Sequence, residues 1–243
     1  MSVELLFIII ILVFFAAAMG TFSGFGISTI MVPVMLLFFP LPLTLLFTGT
    51  IHWFEDIWKM LLFRSGVGKW KLVLWFAVPG VIAGFFGATV SVSFPEEFLL
   101  RILGGFILAY VIFILWKPEW KLPERNSVAG VGGALSGFSS GIFGVGGEIR
   151  ATFLSAFNLP KEAYLFALGA MGLAIDSARI AGYLATGARL EGLFLWGLAL
   201  FIPASLLGAW TAKYFVDRVP QKYFRVFIAL FLAVVAVKFL IFP

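Results

Sequence analysis

The hydrophobic positions of the chain fall into long blocks, separated by short stretches that contain proline, glycine or charged residues. A helix that spans a bilayer needs about 20 predominantly apolar residues, and each block is long enough for that. No alternating pattern typical of a β-strand occurs. The pattern therefore predicts an all-α polytopic membrane protein. The eight blocks are Val3–Phe39, Leu43–Phe63, Lys71–Val92, Glu96–Trp116, Ser127–Phe157, Pro160–Thr186, Glu191–Phe215 and Gln221–Phe242.

The first and fifth blocks are longer than one membrane crossing. Val3–Phe39 would measure about 55 Å as a single helix, nearly twice a hydrocarbon core of about 30 Å. A glycine-rich stretch interrupts each of these blocks, at residues 20–26 and at residues 141–147. Glycine permits the positive φ angles that a sharp break needs. We therefore expect each block to form a helix hairpin that is broken at its glycines within the membrane.

The two halves of the chain show the same order of elements. Each begins with a glycine-broken block, continues through a Leu-Pro turn into a long helix, and ends with a proline-bearing helix and a final helix. An offset of 118 positions places Pro42 over Pro160, and an offset of 124 places Pro79 over Pro203. Weak similarity between halves, with a broken segment at the same place in each, is typical of secondary transporters built from repeats.

Charge indicates that the two repeats, 1–120 and 121–243, have opposite orientations. If each broken block is a hairpin with two legs, each half contains five segments, and the second half enters the membrane upside down. The basic loops Arg64–Lys71, Lys117–Arg125 and Asp217–Lys222 then lie on one side. Basic loops are typical of the cytoplasmic side. We therefore expect two inverted repeats of five segments each, with both termini on the other side.

Composition excludes a water-soluble domain. Hydrophobic residues make up 62% of the 243 positions and charged residues 12%, and the mean hydropathy is +1.10. Soluble domains carry about 25% charged residues. The net charge of +5 is explained by basic loops, so we expect no nucleic-acid partner. Because the chain has no cysteine, disulfides, thiol catalysis and cysteine-ligated metals are excluded.

The helix that follows each break is suited to bind an anion. Its first N–H groups have no acceptor within the helix and lie at the positive end of the helix dipole. Irregular backbone inside a bilayer is tolerated where it lines protein, water or a ligand. The alternative is that these glycines only permit close helix packing. The expected substrate-binding residues are Ser23, Gly24, Gly26, Ser28, Thr29, Ser140, Gly144, Gly146, Gly147 and Arg150.

Glu148 and Arg150 stand directly after the second break, inside an apolar block. Ionisable groups within membrane segments are costly and by default indicate function. Arg150 is suited to pair with an anionic substrate. Glu148 is suited to cap the helix start or to carry a proton. The alternative is that both residues lie at the membrane surface, which would follow if the break is misplaced.

A second set of ionisable residues shares one face of the block Leu43–Phe63. His52, Glu55, Asp56 and Lys59 follow one another at spacings that bring them together on a helix. Three interpretations stay open: a proton or substrate path, a neutralised structural cluster, and a metal site. The metal site is the least favoured of these, because it would need further ligands from elsewhere.

In the matching helix of the second half, Asp176 and Arg179 are three positions apart and are expected to form an ion pair. These ionisable residues are also the candidates for coupling transport to protons or ions. The candidates for coupling are Glu148, His52, Glu55, Asp56, Asp176 and Arg179.

The glycine-rich stretches resemble the sulfite exporter TauE/SafE family of anion permeases. That family typically shows a G-x-x-x-G-x-G-G-G stretch followed by a turn with proline. Two departures occur here: Glu148 stands where the family often has a third glycine, and Ser28 and Thr29 replace the glycine pair in the first half. The resemblance covers essentially the whole chain. The residues that carry it are Ser136–Glu148, Phe157–Pro160 and, more weakly, Gly20–Pro42.

The resemblance implies a permease for small sulfur-containing anions, such as sulfite, sulfoacetate or other organosulfonates. It implies a multi-pass protein of a prokaryotic inner membrane, in which access alternates as one repeat rocks against the other. The expected partners are a small anion and the lipid bilayer. We expect neither a cofactor nor a bound metal, and the sequence leaves a homo-oligomer open.

Two other functions stay open. One is a cation or metal permease that uses His52, Glu55, Asp56, Glu148 and Asp176. The other is an intramembrane enzyme or assembly factor, which would need a nucleophile next to a base. The chain has one histidine and neither a nucleotide-binding loop nor the pattern of a catalytic triad, so we expect that it is not an enzyme.

Overall fold

A computed structural model describes residues 3–116, 122–123, 125–155, 157–215 and 221–242 of the chain. Within these residues the chain forms eleven α-helices and one short 3-10 turn, and no strand. The prediction of an all-α protein is therefore confirmed. The helices are α1 Val3–Ser23, α2 Ser28–Met35, α3 Leu41–Leu62, α4 Trp70–Ser91, α5 Glu96–Trp116, α6 Asn126–Phe143, α7 Gly147–Ser155, α8 Lys161–Ala185, α9 Gly192–Trp196, α10 Leu198–Phe215 and α11 Gln221–Ile241.

Four of the helices in the described part of the chain are long and apolar enough to cross a membrane. They are α1 from Glu4 onward, α4, α8 and α10. Large hydrophobic side chains on their outer faces are exposed, among them Phe7, Ile82 and Trp210. Exposed apolar side chains in this number are expected where lipid, and not water, surrounds the protein.

The helical structure is interrupted at both glycine-rich stretches. Helix α1 ends at Ser23 and α2 begins at Ser28, while α6 ends at Phe143 and α7 begins at Gly147. Each long predicted block is thus divided into a long helix and a short one. The short helices α2 and α7 have 8 and 9 residues, and helices of that length cover about 12–14 Å.

The long helices α3 and α8 begin in the same way. Each follows a proline in extended conformation, Pro40 before α3 and Pro160 before α8. Proline suits this position because it lacks the N–H group that a helix start leaves unpaired. The two starts are 120 positions apart, so the offset of 118, which pairs Pro42 with Pro160, is wrong by two residues at this point.

The block Glu191–Phe215 was predicted as one helix, and the structure divides it at Gly197 into α9 and α10. The interruption is slight, because the N–H of Gly197 still donates to the carbonyl of Leu193. Glycine is a weak helix former. The side chain of Phe201 packs where a Cβ of Gly197 would lie, so the position accommodates a ring instead of a side chain of its own.

A few extensive interfaces between helices hold the described part of the structure together, and α4 packs on both α6 and α8. Helix α4 lies along α6, and α1 lies along α10; α3 packs on α8, and α5 on α11. The α4–α6 interface is very close, because the carbonyl of Phe76 lies against Gly133 and the carbonyl of Gly80 against Gly137. Small residues permit such backbone approach between membrane helices. The loops at Lys117–Arg125 and Asp217–Lys222 lie largely outside the described residues.

Candidate functional site

A cluster of ionisable side chains lies in the interior, between the two chain breaks and helices α3 and α8. Four carboxyl groups and four basic side chains are each at most 2% exposed. Charges buried in this way need partners, because desolvation costs several kcal/mol for each ion. The eight residues are His52, Glu55, Asp56, Lys59, Glu148, Arg150, Asp176 and Arg179.

One face of α3 supplies half of the cluster, as its spacing predicts. Lys59 Nζ lies 2.8 Å from Glu55 Oε2 and 3.1 Å from Asp56 Oδ1. His52 Nε2 lies 3.4 Å from Glu55 Oε2 and 3.7 Å from Asp56 Oδ1. The helical period of 3.6 residues brings positions 52, 55, 56 and 59 to one side. The prediction that these four residues share one face of the helix is confirmed, and the structure shows that this face is buried.

Helix α8 contributes an ion pair and a link to both breaks. Arg179 Nε donates to Asp176 Oδ1 over 2.8 Å, so the predicted ion pair is confirmed. The same guanidinium donates to Ser28 Oγ at 3.3 Å and to the carbonyl of Gly144 at 3.2 Å. Its planar fork of five donors suits several acceptors at once. Asp176 Oδ2 also lies 3.1 Å from His52 Nδ1.

The first break brings the start of α2 to the cluster. Gly26 has a φ of 87°, and a Cβ at this position would collide with the His52 imidazole. Both facts require glycine there. Ser28 Oγ lies 2.9 Å from His52 Nδ1, and the N–H of Ile27 donates to Glu55 Oε2 at 3.4 Å.

The second break is held by side chains of α6. Gly144 adopts a φ of 74° at the end of α6. The hydroxyl of Ser136 donates to the carbonyl of Gly146 at 2.8 Å, and Ser139 donates to the carbonyl of Val145. The carbonyls that the break frees are therefore satisfied inside the protein, as an apolar surrounding requires.

The two breaks touch each other. The backbone carbonyl of Phe25 lies so close to Gly147 that a Cβ at Gly147 has no room. The start of α7 and the start of α2 thus lie side by side at the cluster.

Glu148 and Arg150 are buried inside the protein. Each is 2% exposed. The carboxyl group of Glu148 lies beside Thr29 and Arg150. Gly172 of α8 leaves room for Arg150, because a Cβ at Gly172 would meet both Arg150 Nη1 and Asp56 Oδ2.

Some polar atoms of the cluster are left without a hydrogen bond. Among the described residues these include Asp56 Oδ2, Glu148 Oε2 and Arg150 Nη1. A buried polar atom without a partner costs about 1–3 kcal/mol. Such atoms therefore mark the places where a proton, water or ligand would be most stabilising.

Two of the expected binding residues lie apart from the cluster. Ser23 Oγ bonds locally to the carbonyl of Gly20 at 3.3 Å, and Gly24 lies against Tyr164 and Leu168. Thr29 donates to the carbonyl of Phe25 at 3.2 Å. Ser23 and Gly24 shape the first break away from the ionisable groups, whereas Thr29 also lies beside the carboxyl group of Glu148.

Other residues of the site were not among the expected ones. Thr21 Oγ1 donates to Glu55 Oε1 at 2.7 Å. Tyr183 donates to the carbonyls of Ser140 at 3.1 Å and Gly141 at 2.6 Å. An offset of 120 positions also places Asp56 and Lys59 over Asp176 and Arg179, a correspondence between the halves that the offset of 118 did not reveal.

A group of possible metal ligands lies inside the cluster. His52, Asp56 and Asp176 each offer one ligand atom, and these three atoms all lie within 4.8 Å of one another. The basic side chains of Lys59 and Arg179 already contact the carboxylate oxygens that a metal ion would need as ligands.

Comparison with known proteins identifies the family. Residues 9–239 match the family described as sulfite exporter TauE/SafE. The chain belongs to this family. No curated protein and no solved structure matches the chain. Together with the apolar helices, membership indicates a multi-pass membrane protein and a transporter, which agrees with a function other than catalysis.

Proposed function

We propose that the protein is a secondary transporter of small sulfur-containing anions such as sulfite or organosulfonates. The observation that carries the proposal is the contact between the two breaks, Phe25 against Gly147, inside a buried cluster that includes Arg150. The start of α7 and the guanidinium of Arg150 form a set of donors that matches an oxyanion, and the contact places the start of α2 next to them. The family gives the chemical class of the substrate.

The pairing of the helices supports an arrangement of two inverted repeats, residues 1–120 and 121–243. If α1, α2 and α3 correspond to α6, α7 and α8, then the contact of α1 with α10 corresponds to that of α6 with α4. The α3–α8 and α5–α11 contacts then lie on the pseudo-twofold axis. Five segments in each half, with α9 as a short extra helix, reverse the orientation of the second half.

A cavity of about 220 Å³ supports an access route from one side. Leu41, Ser91, Glu96 and Thr186 are among the residues that line it, and Leu45 and Tyr183 line it too. Leu45 packs against Gly144, and Arg179 lies just beyond. In the proposal, Leu45 and Tyr183 close this route, and rocking of one repeat against the other opens it.

Glu148 and Asp56 are the proposed proton carriers, because each has a carboxyl oxygen without a partner in the described part of the chain. Glu148 lies at the start of α7, where the substrate would bind. A proton on this carboxyl group would remove its charge and release the helix start to the anion. Transport would then be coupled to a proton gradient.

The binding of ligands by the detergent-purified protein tests the proposal. A ligand that binds only the folded protein raises its melting temperature by mass action. We expect a saturable rise with sulfite or a sulfonate and none with divalent metals. The absence of any rise across sulfite, thiosulfate, sulfonates and sulfate would contradict the proposal. Flux into proteoliposomes that does not change when an ionophore collapses the pH gradient would reject proton coupling.

A divalent-cation permease is the second candidate, favoured by the closeness of His52, Asp56 and Asp176. It requires Lys59 and Arg179 to leave the carboxylates that they contact. The same melting experiment separates the two candidates, since this one predicts stabilisation by a divalent metal and no response to sulfite.

A further inference from the structure

The carboxylate of Glu55 lies where an anion would bind at the first break. Thr21 Oγ1 donates to Oε1 at 2.7 Å, the N–H of Ile27 donates to Oε2 at 3.4 Å, and Lys59 Nζ lies 2.8 Å from Oε2. His52 Nε2 lies 3.4 Å from the same oxygen. A hydroxyl, a helix-start amide and an ammonium group are the donors that a bound oxyanion requires.

The donors to Glu55 come from separate elements. Thr21 lies near the end of α1, Ile27 directly precedes α2, and Lys59 lies one turn further along α3. The carboxylate therefore ties the first break to α3. With these partners and no exposed surface, it is held in place and neutralises the positive end of the α2 dipole.

The second break has no such carboxylate from the neighbouring helix. At the offset of 120 that pairs Pro40 with Pro160, Glu55 corresponds to Ile175 of α8. The side chain of Ile175 packs against Gly80 and Gly84 of α4. Helix α8 thus presents an apolar side chain at this position, and that side chain packs against α4.

A cation takes up the corresponding region in the second half. Arg150 lies in the first turn of α7 and is 2% exposed, and its Nη1 has no hydrogen-bond partner within the described residues. In the first half the residue at the same offset is Ile30. The first half therefore contains the fully bonded carboxylate of Glu55 without this arginine. In the second half Arg150 lies near the carboxyl groups of Glu148 and Asp56, each of which keeps one oxygen without a hydrogen bond.

We propose that Glu55 is a permanent internal anion that fills the first half of the centre, so that one substrate anion binds per chain, at the second half. That anion is held by the N–H groups at the start of α7 and by Nη1 of Arg150. The inference rests on the proposed function for the identity of the substrate. The role of Glu55 stands on its own contacts.

Removal of the carboxylate tests the role of Glu55. In Glu55→Ala, formate matches the deleted group in charge and shape and has the space to replace it. We expect sodium formate to raise the melting temperature of this variant by several degrees more than that of the wild type, with sodium gluconate at equal ionic strength as the reference. Glu55→Gln fills the space and is expected to show no extra response. Glu97→Ala removes an exposed carboxylate and is the matched control.

Equal responses to formate in Glu55→Ala and the wild type would overturn the role of Glu55. If Glu55→Ala is not recovered in a folded form, the number of sulfite ions bound per wild-type chain decides. One ion per chain supports the inference, and two ions overturn it. If the wild type binds no sulfur-containing anion, the proposed function fails, while the formate response of Glu55→Ala still reports on the internal anion.

Discussion

The two chain breaks have similar backbones and different charges. Gly24 and Gly144, 120 positions apart, have φ angles of 78° and 74°, and each break is followed by a short helix. At the first break the carboxylate is that of Glu55 from α3, and both of its oxygens have hydrogen-bond or ion-pair partners. At the second break the carboxylate and the cation, Glu148 and Arg150, belong to α7 itself and keep unpaired atoms.

This difference teaches how a repeated fold forms a single binding site. The backbone geometry is set by glycines and helix packing, which the two halves share. The side chains then fill the anion position at the first break and leave the position at the second break available to a substrate. His52 fills the space opposite Gly26, whereas Gly172, the residue at the corresponding position, leaves room for Asp56 and Arg150. The comparison predicts that substitutions in the two halves have unequal effects.

The largest effect is expected where both halves are tied together. Arg179→Met removes the donor to Ser28 of the first half and to Gly144 of the second, and it leaves Asp176 buried without its cation. Breaking a buried pair in this way costs about 3–5 kcal/mol. The melting temperature of the purified protein measures this loss. Arg189→Met, at an exposed arginine, is the control, and equal melting temperatures of the two variants would contradict the central position of Arg179.

A smaller loss is expected from Gly147→Ala. The added Cβ would collide with the carbonyl of Phe25 and push the two breaks apart. Overpacking of this kind costs about 1–3 kcal/mol, and a rigid backbone neighbour favours the upper part of that range. Gly105→Ala is the control, since no atom lies within 4 Å of its Cβ position. A variant Gly147→Ala that melts like Gly105→Ala would show that the breaks do not touch.

A loss confined to the second half is expected from Tyr183→Phe. The hydroxyl donates to the carbonyls of Ser140 and Gly141, and the first half has Phe63 at the corresponding position. Removal of a hydrogen bond to a buried carbonyl costs about 1 kcal/mol, which the melting temperature reports. Thr89→Val removes an exposed hydroxyl with a similar bond. If the two variants lose equal stability, the hydroxyl of Tyr183 does not hold the second break.

The smallest effect is expected at the surface. Arg101 pairs with Glu97 over 2.7 Å, but the two side chains are 54% and 65% exposed. Solvent screens such pairs, and they contribute about 0.5 kcal/mol or less. Arg101→Gln should therefore leave the melting temperature almost unchanged. A large drop would mean that this end of α5 is covered in the folded protein.

Much of the fold was predictable because its signals are local. Apolar block length gave the helices, and runs of glycine gave the divisions between α1 and α2 and between α6 and α7. The face of α3 followed from the spacing of His52, Glu55 and Lys59. The interruption at Gly197 was missed, because one glycine in an apolar block resembles the many glycines that only permit packing.

The contents of the site were harder to predict, because they depend on contacts between distant segments. The spacing along α3 shows that Glu55 and Lys59 are neighbours, but it does not show that Thr21 and Ile27 complete the set. We expected the helix start after each break to be suited to bind an anion, which assumed that the two halves are equivalent. The contacts of Glu55 with the start of α2 make them unequal, and no single segment carries that information.

Sulfite binding to the wild type and to Arg150→Gln, measured by titration calorimetry in detergent, tests the central claim most directly. We predict one sulfite per wild-type chain and loss of that binding in Arg150→Gln, with Arg101→Gln binding as the wild type does. Retention of wild-type affinity in a folded Arg150→Gln variant would contradict an anion site at the start of α7.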